Sequence, residues 1–259
     1  MITSMSNAQV KELQALLQKA KARREKDAYV VEGIKMCTEA PAPFVERIFI
    51  SESLYGNDTV NALLDKAPFE VLQDDIFLKV SDTKTPQGIM CIVKRKHYNR
   101  ESLLNKKNPF IIVLEDIQDP GNMGTILRTA EGAGVSGIMM SKNTVDIYNP
   151  KTIRSTMGSI FRMSVVSEEN LADGIMYLQS NNIKVYAAHL KGDKYYDEFS
   201  YNQGTAFLIG NEGSGLKKET ADMADTYLKI PMEGQVESLN AAVSASVLMY
   251  EVVRQRRRH

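Results

Sequence analysis

The sequence predicts an α/β protein with a mostly parallel sheet in its second part and a small α/β unit before it. Three observations predict this. From Pro109 onward, short apolar runs alternate with segments of helical length, the pattern of βαβ units. The run Phe110–Leu114 is apolar without interruption, as in a strand covered on both faces. The stretch 97–108 is polar and lacks a hydrophobic pattern, so it reads as a connection. The expected organisation is a first domain over 1–95, a linker over 96–108 and a second domain over 109–259.

In the first part, Val10, Leu13, Leu16 and Leu17 fall on one side of an amphipathic helix over 7–26. A strand over 29–32, Gly33 and a helix ending before Pro41 follow. Strands are expected over 44–50, 69–72 and 89–93. A helix capped by Asp58 runs to Lys66, and a short one covers 76–80. In the second part, strands are expected over 110–114, 138–140, 163–166, 183–188, 205–209 and 227–230. Helices are expected over 121–133, 150–157, 168–179 and 216–221, with a long one at the end. Pro231 lacks an N–H and stops the last strand. Ser238 stands where a helix N-cap is expected, and Leu239, Ala242, Val243, Ser246, Val247 and Tyr250 form one apolar face behind it. Ser238 and Asn240 are a plain cap on a core helix or polar groups offered to a ligand beside free helix N–H groups.

Composition excludes several classes. Thirty-two basic residues balance 32 acidic ones in 259. No apolar run reaches the ~20 residues that span a bilayer, and residues 1–10 lack the pattern of a secretory signal. A cytoplasmic location without membrane attachment is expected. Cys37 and Cys91 stand far apart, and His97, His189 and His259 have no ligand spacing, so neither disulfide nor metal is expected. Basic residues gather locally at Lys21, Arg23, Arg24 and Lys26, at 94–96, and at Arg256, Arg257 and Arg258. Each cluster is either a phosphate contact or a solvated helix end.

Three stretches have residue patterns that could carry chemistry, and two of them keep that reading. G-A-G-V-S-G at 132–137 matches a dinucleotide fingerprint in letters, yet a helix precedes it and a strand follows, the reverse of phosphate cradling. It reads as a helix end. G-N-E-G-S-G at 210–215 leaves the end of an apolar strand, where open α/β sheets place ligands. It lacks the Walker lysine spacing, and its glycines permit close approach of a ligand, with Glu212 among them. D-P-G-N-M-G-T-I-L-R at 119–128 opens a helix with Asn122 near its start and Arg128 six residues later, on broadly the same side. Arg128 is a surface cation or a clamp for a phosphate or developing oxyanion.

N-M-G-T-I-L-R-T-A at 122–130, I-R-S-T-M-G-S-I-F-R at 153–162, I-G-N-E-G-S-G-L at 209–216 and I-P-M-E-G-Q-V-E-S-L-N-A-A-V-S-A-S at 230–246 occur in order. Together they resemble the SpoU (TrmH-type) branch of the SPOUT family, RNA ribose 2′-O-methyltransferases. R-R at 23–24, Y-V-V-E-G at 29–33 and S-D-T-K-T-P-Q-G at 81–88 resemble that family's substrate-binding domain, similar in shape to ribosomal L30e/L7Ae proteins. The resemblance implies a C-terminal trefoil knot, S-adenosylmethionine as cofactor, and a homodimer. It implies that Gly210, Ile230, Leu239 and Met232, with Ala188 and His189, hold the cofactor. Arg128 would act on the developing oxyanion or position an RNA phosphate that accepts the proton, Asn122 would hold the Arg128 loop or the ribose, and Glu212, Ser238 and Asn240 would shape the pocket. Lys21, Arg23, Arg24 and Lys26 would meet structured RNA, with 23S ribosomal RNA favoured over transfer RNA. A transfer RNA enzyme and a non-catalytic RNA-binding protein on the same fold are the alternatives.

Overall fold

A computed structural model describes residues 1–190 and 192–257; Arg258 and His259, at the end of the last basic cluster, lie outside them. The chain forms two compact units, one of residues 1–96 with 146–161, the other of 97–145 with 162–259.

The first unit begins with α1 (Ala8–Gln18) and α2 (Ala20–Lys26), followed by β1 (Ala28–Glu32) and α3 (Ile34–Glu39). Then come β2 (Val45–Ser51), α4 (Asp58–Leu64), β3 (Phe69–Leu72), α5 (Asp74–Val80) and β4 (Ile89–Lys94). The sheet order is β1-β4-β2-β3, antiparallel except for the β2–β3 pair. Val10, Leu13, Leu16 and Leu17 enter its core as the periodicity predicts. The single helix expected over 7–26 is instead broken at Lys19, whose backbone is extended. Arg23 explains the break. Its Nη1 donates to the carbonyls of Leu16 and Leu17 at 2.7 and 3.1 Å, satisfying groups that a helix end leaves open. The cap of α4 is Asn57, accepting from the Thr59 N–H, and Asp58 is the first helical residue rather than the cap. Cys37 and Cys91 are buried free thiols.

The second unit starts with β5 (Phe110–Leu114), α6 (Pro120–Gly132) and β6 (Gly137–Ser141). Residues 146–161 then join the first unit and carry α7 (Pro150–Thr156), which packs on β1. The second unit resumes with β7 (Val165–Glu168), α8 (Leu171–Ser180), β8 (Lys184–Ala188) and β9 (Lys194–Tyr195). β10 (Thr205–Ile209), α9 (Lys218–Ala221), β11 (Thr226–Lys229) and α10 (Ala241–Arg256) complete it. Its sheet runs β7-β6-β5-β10-β8-β11-β9, and every pairing is parallel. Alternate residues of the central strands face opposite layers. Ile111, Val113, Ala206 and Leu208 join Leu171, Ile175 and Leu178 of α8 in one buried cluster. α6 and α10 pack together, and α10 also packs on β10. Both faces being covered explains why β5 and β10 are apolar throughout. The stretch read as a linker contributes Leu103 to the same cluster as α8, fully buried.

The last helix differs from expectation in two respects. Its cap is Asn240, whose side chain accepts from the N–H of Ala242 at 2.9 Å; Ser238 lies before it in the approaching loop. The buried stripe is Ala241, Ala242, Ala245, Leu248, Met249 and Val252, whereas Val243 and Tyr250 are about half exposed, at 47% and 53%. Small residues were legible as helix formers, but the face they bury is chosen by the close approach of α6 and β10.

Candidate active site

The site is built where β5, β10 and β11 end, at the carboxyl edge of the parallel sheet. Each of these strands gives way to a loop, and side chains tie the loops together. After β5, Glu115 is buried and accepts the Lys217 N–H at 2.8 Å and the Thr220 hydroxyl, both from the segment after β10. Asp116 follows in a left-handed conformation, φ 53°. Its carboxylate accepts from Ser141 Oγ and Lys217 Nζ, each at 2.7 Å, and its carbonyl accepts Asn211 Nδ2 at 2.8 Å. Burial alone would raise the Asp116 pKa, but the Lys217 ammonium and the Ser141 hydroxyl outweigh it and hold the carboxyl below its ordinary value.

The loop after β10 closes on itself. Asn211 and Gly215 exchange backbone hydrogen bonds at 3.1 and 2.9 Å, and Asn211 Oδ1 accepts the N–H groups of Gly213 and Ser214. A Cβ at Gly210 would stand 2.2 Å from both the Gly215 carbonyl carbon and the Leu216 nitrogen. Only glycine fits there. The turn presents Glu212 to the start of α6, where its carboxylate accepts the backbone N–H of Gln118 and of Asp119, each at 3.0 Å.

Asn122 joins the three loops. Its Nδ2 donates to Glu212 Oε1 at 3.0 Å, and its Oδ1 accepts Asn240 Nδ2 at 3.0 Å. Asn240 Oδ1 in turn caps α10, so one chain of hydrogen bonds runs from a helix terminus to a carboxylate. Burial opposes ionisation of Glu212, yet the Asn122 amide and the two backbone N–H groups win and lower its pKa.

Beside this network lies a cleft of about 300 Å³, within the range of small-ligand sites. All six residues that resemblance assigns to the cofactor line it: Ala188, His189, Gly210, Ile230, Met232 and Leu239. Glu212 and Ser238 line it too. Leu190, Ile209, Leu216, Leu228 and Glu237 do so as well, and the sequence reading passed over them. Four of them stand one or two residues from expected ones, which was the available signal; Leu216 closes the glycine-rich stretch 209–216. The His189 ring stacks on Tyr227 with centroids 5.1 Å apart, and the His189 backbone N–H donates to the Leu228 carbonyl at 2.9 Å.

Arg128 is not part of this arrangement. It is exposed on α6 and, among the described residues, neither lines the cleft nor joins the network. Six residues are one and two-thirds helical turns, so it points about 120° away from Asn122 rather than to the same side. In the first unit the four basic candidates separate. Lys21 and Arg24 are exposed, Lys21 lying 3.7 Å from Glu25. Lys26 is held by Glu12 and Glu46 at 2.8 and 3.0 Å, and these partners raise its pKa despite partial burial. Arg23 is 2% exposed and its Nε donates to Asp146 at 2.8 Å, so its guanidinium serves the fold and cannot reach a phosphate. Among the described residues no group of His, Cys, Asp and Glu could hold a metal, and no helix is long and apolar enough to cross a membrane.

Comparison with known proteins assigns the same regions. The profile of the SpoU rRNA Methylase family matches residues 109–250, and that of an MRM3-like substrate binding domain matches residues 7–91. The 23S rRNA (guanosine(2553)-2′-O)-methyltransferase RlmP of Bacillus subtilis is 32% identical over 97% of this chain and 98% of its own length. The crystal structure of the SpoU methyltransferase AviRb from Streptomyces viridochromogenes, in complex with AdoMet, superposes with a TM-score of 0.89 at 25% identity. That match covers 96% of this chain and 98% of AviRb. An AdoMet-bound rRNA methyltransferase from Sinorhizobium meliloti gives 0.88 at 28% identity, covering 98% of this chain and 97% of that one. With a family profile spanning the whole cleft-bearing sheet, and a relative aligned from end to end, the chain belongs to the SpoU rRNA methylase family.

Proposed function

We propose that this protein methylates a ribose 2′-hydroxyl in structured RNA, with S-adenosylmethionine as donor and 23S ribosomal RNA as substrate. The observation that carries the reading is the convergence of Asn122, Glu212 and Asn240 beside the cleft at the sheet's carboxyl edge. The RNA class follows the Bacillus subtilis relative, which aligns with both parts of this chain.

The cleft suits the cofactor. Leu190, Ile209, Leu216, Leu228 and Leu239 give apolar walls for a purine, and Gly210 lets a ligand meet backbone rather than side chain. Glu212 and Glu237 supply negative charge, which favours a sulfonium, while the lining lysine, Lys229, has its Nζ over the Tyr195 ring at 5.0 Å. When bound, S-adenosylmethionine supplies an electrophilic methyl group on a sulfonium sulfur. Gly210, Ile230, Met232, Leu239, Ala188 and His189 would hold it. Asn122, fixed by Glu212 and Asn240, would orient the ribose, and proximity of this kind supplies roughly 7–11 kcal/mol of a barrier. Ser238 would border the reacting end. Arg128 would stabilise the developing oxyanion or position an RNA phosphate that accepts the proton; a guanidinium stays protonated and is not the base.

Arg128 stands outside one chain's cleft, which favours completion of the site by RNA and a second copy. A homodimer is therefore part of the reading, with the half-exposed Val243 and Tyr250 of α10 at its contact. A trefoil knot is also part of it. Support comes from β11 lying beyond β8 while α10 returns to pack on α6 and β10. A cytoplasmic location follows from the ribosomal substrate. Lys21 and Arg24 remain the phosphate contacts proposed in the first unit.

The test is single-turnover methylation of ribosomal RNA by Arg128→Ala. S-adenosylmethionine affinity should be retained while the rate falls at least about a hundredfold, the loss typical of a removed oxyanion donor. An unchanged rate would remove Arg128 from the mechanism, and wild-type protein that fails to bind S-adenosylmethionine would end the enzymatic reading. A monomer in sedimentation equilibrium at micromolar concentration counts against the dimer. A crystal structure whose chain straightens when traced from its ends would remove the knot, and ribosome-free fractionation outside the cytoplasm would remove the location.

A further inference from the structure

The first unit has a cleft of its own, which the methyl-transfer reading does not use. It has a volume of about 380 Å³ and lies between the end of β2, the start of α5 and the loop entering β4. Its apolar lining is Leu54, Phe77, Leu78 and Pro86; its polar lining is Ser51, Ser53, Asp74 and Gln87. Phe77 is buried beneath it, whereas Leu78 on its rim is 56% exposed. Gly88 also lines it, with φ 82°, and a Cβ there would stand 2.4 Å from Ser51 Oγ. The approach of the β4 loop to β2 therefore depends on glycine.

The polar groups are partly committed, and what remains uncommitted defines the ligand. Gln87 Oε1 accepts the Ile34 N–H at 2.8 Å, which leaves the Nε2 amide as its donor. Asp74 Oδ1 accepts the Ser53 N–H at 3.0 Å and keeps a second lone pair, so both carboxylate oxygens can still accept a donor. Among the described residues Gln87 Nε2 and Asp74 Oδ2 have no partner. The cleft thus offers both oxygens of a carboxylate, an amide donor and apolar walls. Next to Leu54 in the chain, Tyr55 pairs with Phe69 at a centroid distance of 5.8 Å, and both rings are exposed, at 53% and 39%. Exposed rings are a surface on which unstacked bases rest, and this pair adjoins the cleft only through the chain at Leu54.

We propose that this cleft holds one unstacked guanine of the RNA substrate, its N1–H and N2–H groups on Asp74 and its O6 on the Gln87 amide. Guanine is the base whose pairing edge sets two donors side by side next to an acceptor. Adenine would turn its N1 lone pair on the carboxylate, and cytosine and uracil offer a shorter donor array. Leu54, Leu78 and Pro86 enclose the ring faces, and Tyr55 and Phe69 receive a neighbouring base. The proposal rests on the reading of this protein as an RNA enzyme, and it adds which unit selects the nucleotide context and through which edge.

The test uses the whole protein and short single-stranded RNAs that differ in one central base, followed by fluorescence anisotropy. The guanine oligonucleotide should bind about tenfold more tightly than the adenine one, the discrimination of a good bidentate contact. Asp74→Asn should abolish that preference by weakening guanine and leaving adenine unchanged. Leu78→Ala should weaken all four bases alike, and it serves as the second variant should Asp74→Asn unfold. Equal affinities for the four bases in wild type, or a guanine preference that survives Asp74→Asn, overturns the proposal. S-adenosylmethionine binding is measured alongside. Its retention in Asp74→Asn separates a failure of this cleft from a failure of the methyltransferase reading.

Discussion

Asn122 has no apolar role, yet its carboxamide is the joint between Glu212 and Asn240. Both of its hydrogen bonds are within one unit and partly exposed, so Asn122→Ala should cost about 1–2 kcal/mol in urea unfolding while reducing methylation far more. Equal losses in stability and turnover would make it a merely structural residue. Glu212 gives a pH prediction. Its folded pKa lies below its ordinary value, so its contribution is complete above the ordinary carboxylate range and is lost as pH falls through the lowered value. S-adenosylmethionine affinity should hold through neutral and weakly acidic solution and fall below it. Glu212→Gln should bind more weakly near neutrality and lose the acid limb of that profile. An acid limb unchanged in the variant assigns the titration to another group.

At the scale of elements, the turn after β10 is the most constrained part of the site. Gly210→Ala would press a methyl against the Gly215 and Leu216 backbone, which cannot move as a side-chain tip can. Overpacking of this kind costs up to about 3 kcal/mol, and cofactor affinity should fall with it. Isothermal titration and thermal unfolding read both, and an alanine variant with wild-type affinity would show that the turn is not a binding element. The strands were legible because covered parallel strands are apolar at every position: β5 and β10 match the sequence reading residue for residue. Caps were less legible. Ser238, Asn240, Asn57 and Asp58 are all competent caps, and the choice between neighbours depends on which backbone N–H groups the tertiary fold leaves open.

For the whole molecule, residues 146–161 are the unexpected part. Sequence position assigns them to the second domain, but they pack within the first unit, where Asp146 meets the buried Arg23 and Tyr148 lies under Arg95 at 4.4 Å. Removing one partner of a buried pair is costly, so Arg23→Met should destabilise the protein by about 3 kcal/mol and increase hydrogen exchange over 150–156. Unaltered exchange there would dissociate Arg23 from that segment. The sequence by itself determined the alternation of strands and helices, the absence of metal-ligand spacing and the three motif loops. These are local properties of composition and period, or residue strings long enough to mark a family. Tertiary structure alone decided that Arg23 is buried and that Asn122 reaches both Glu212 and Asn240. Those outcomes depend on contacts between residues some 90 to 120 positions apart, and no local pattern encodes them.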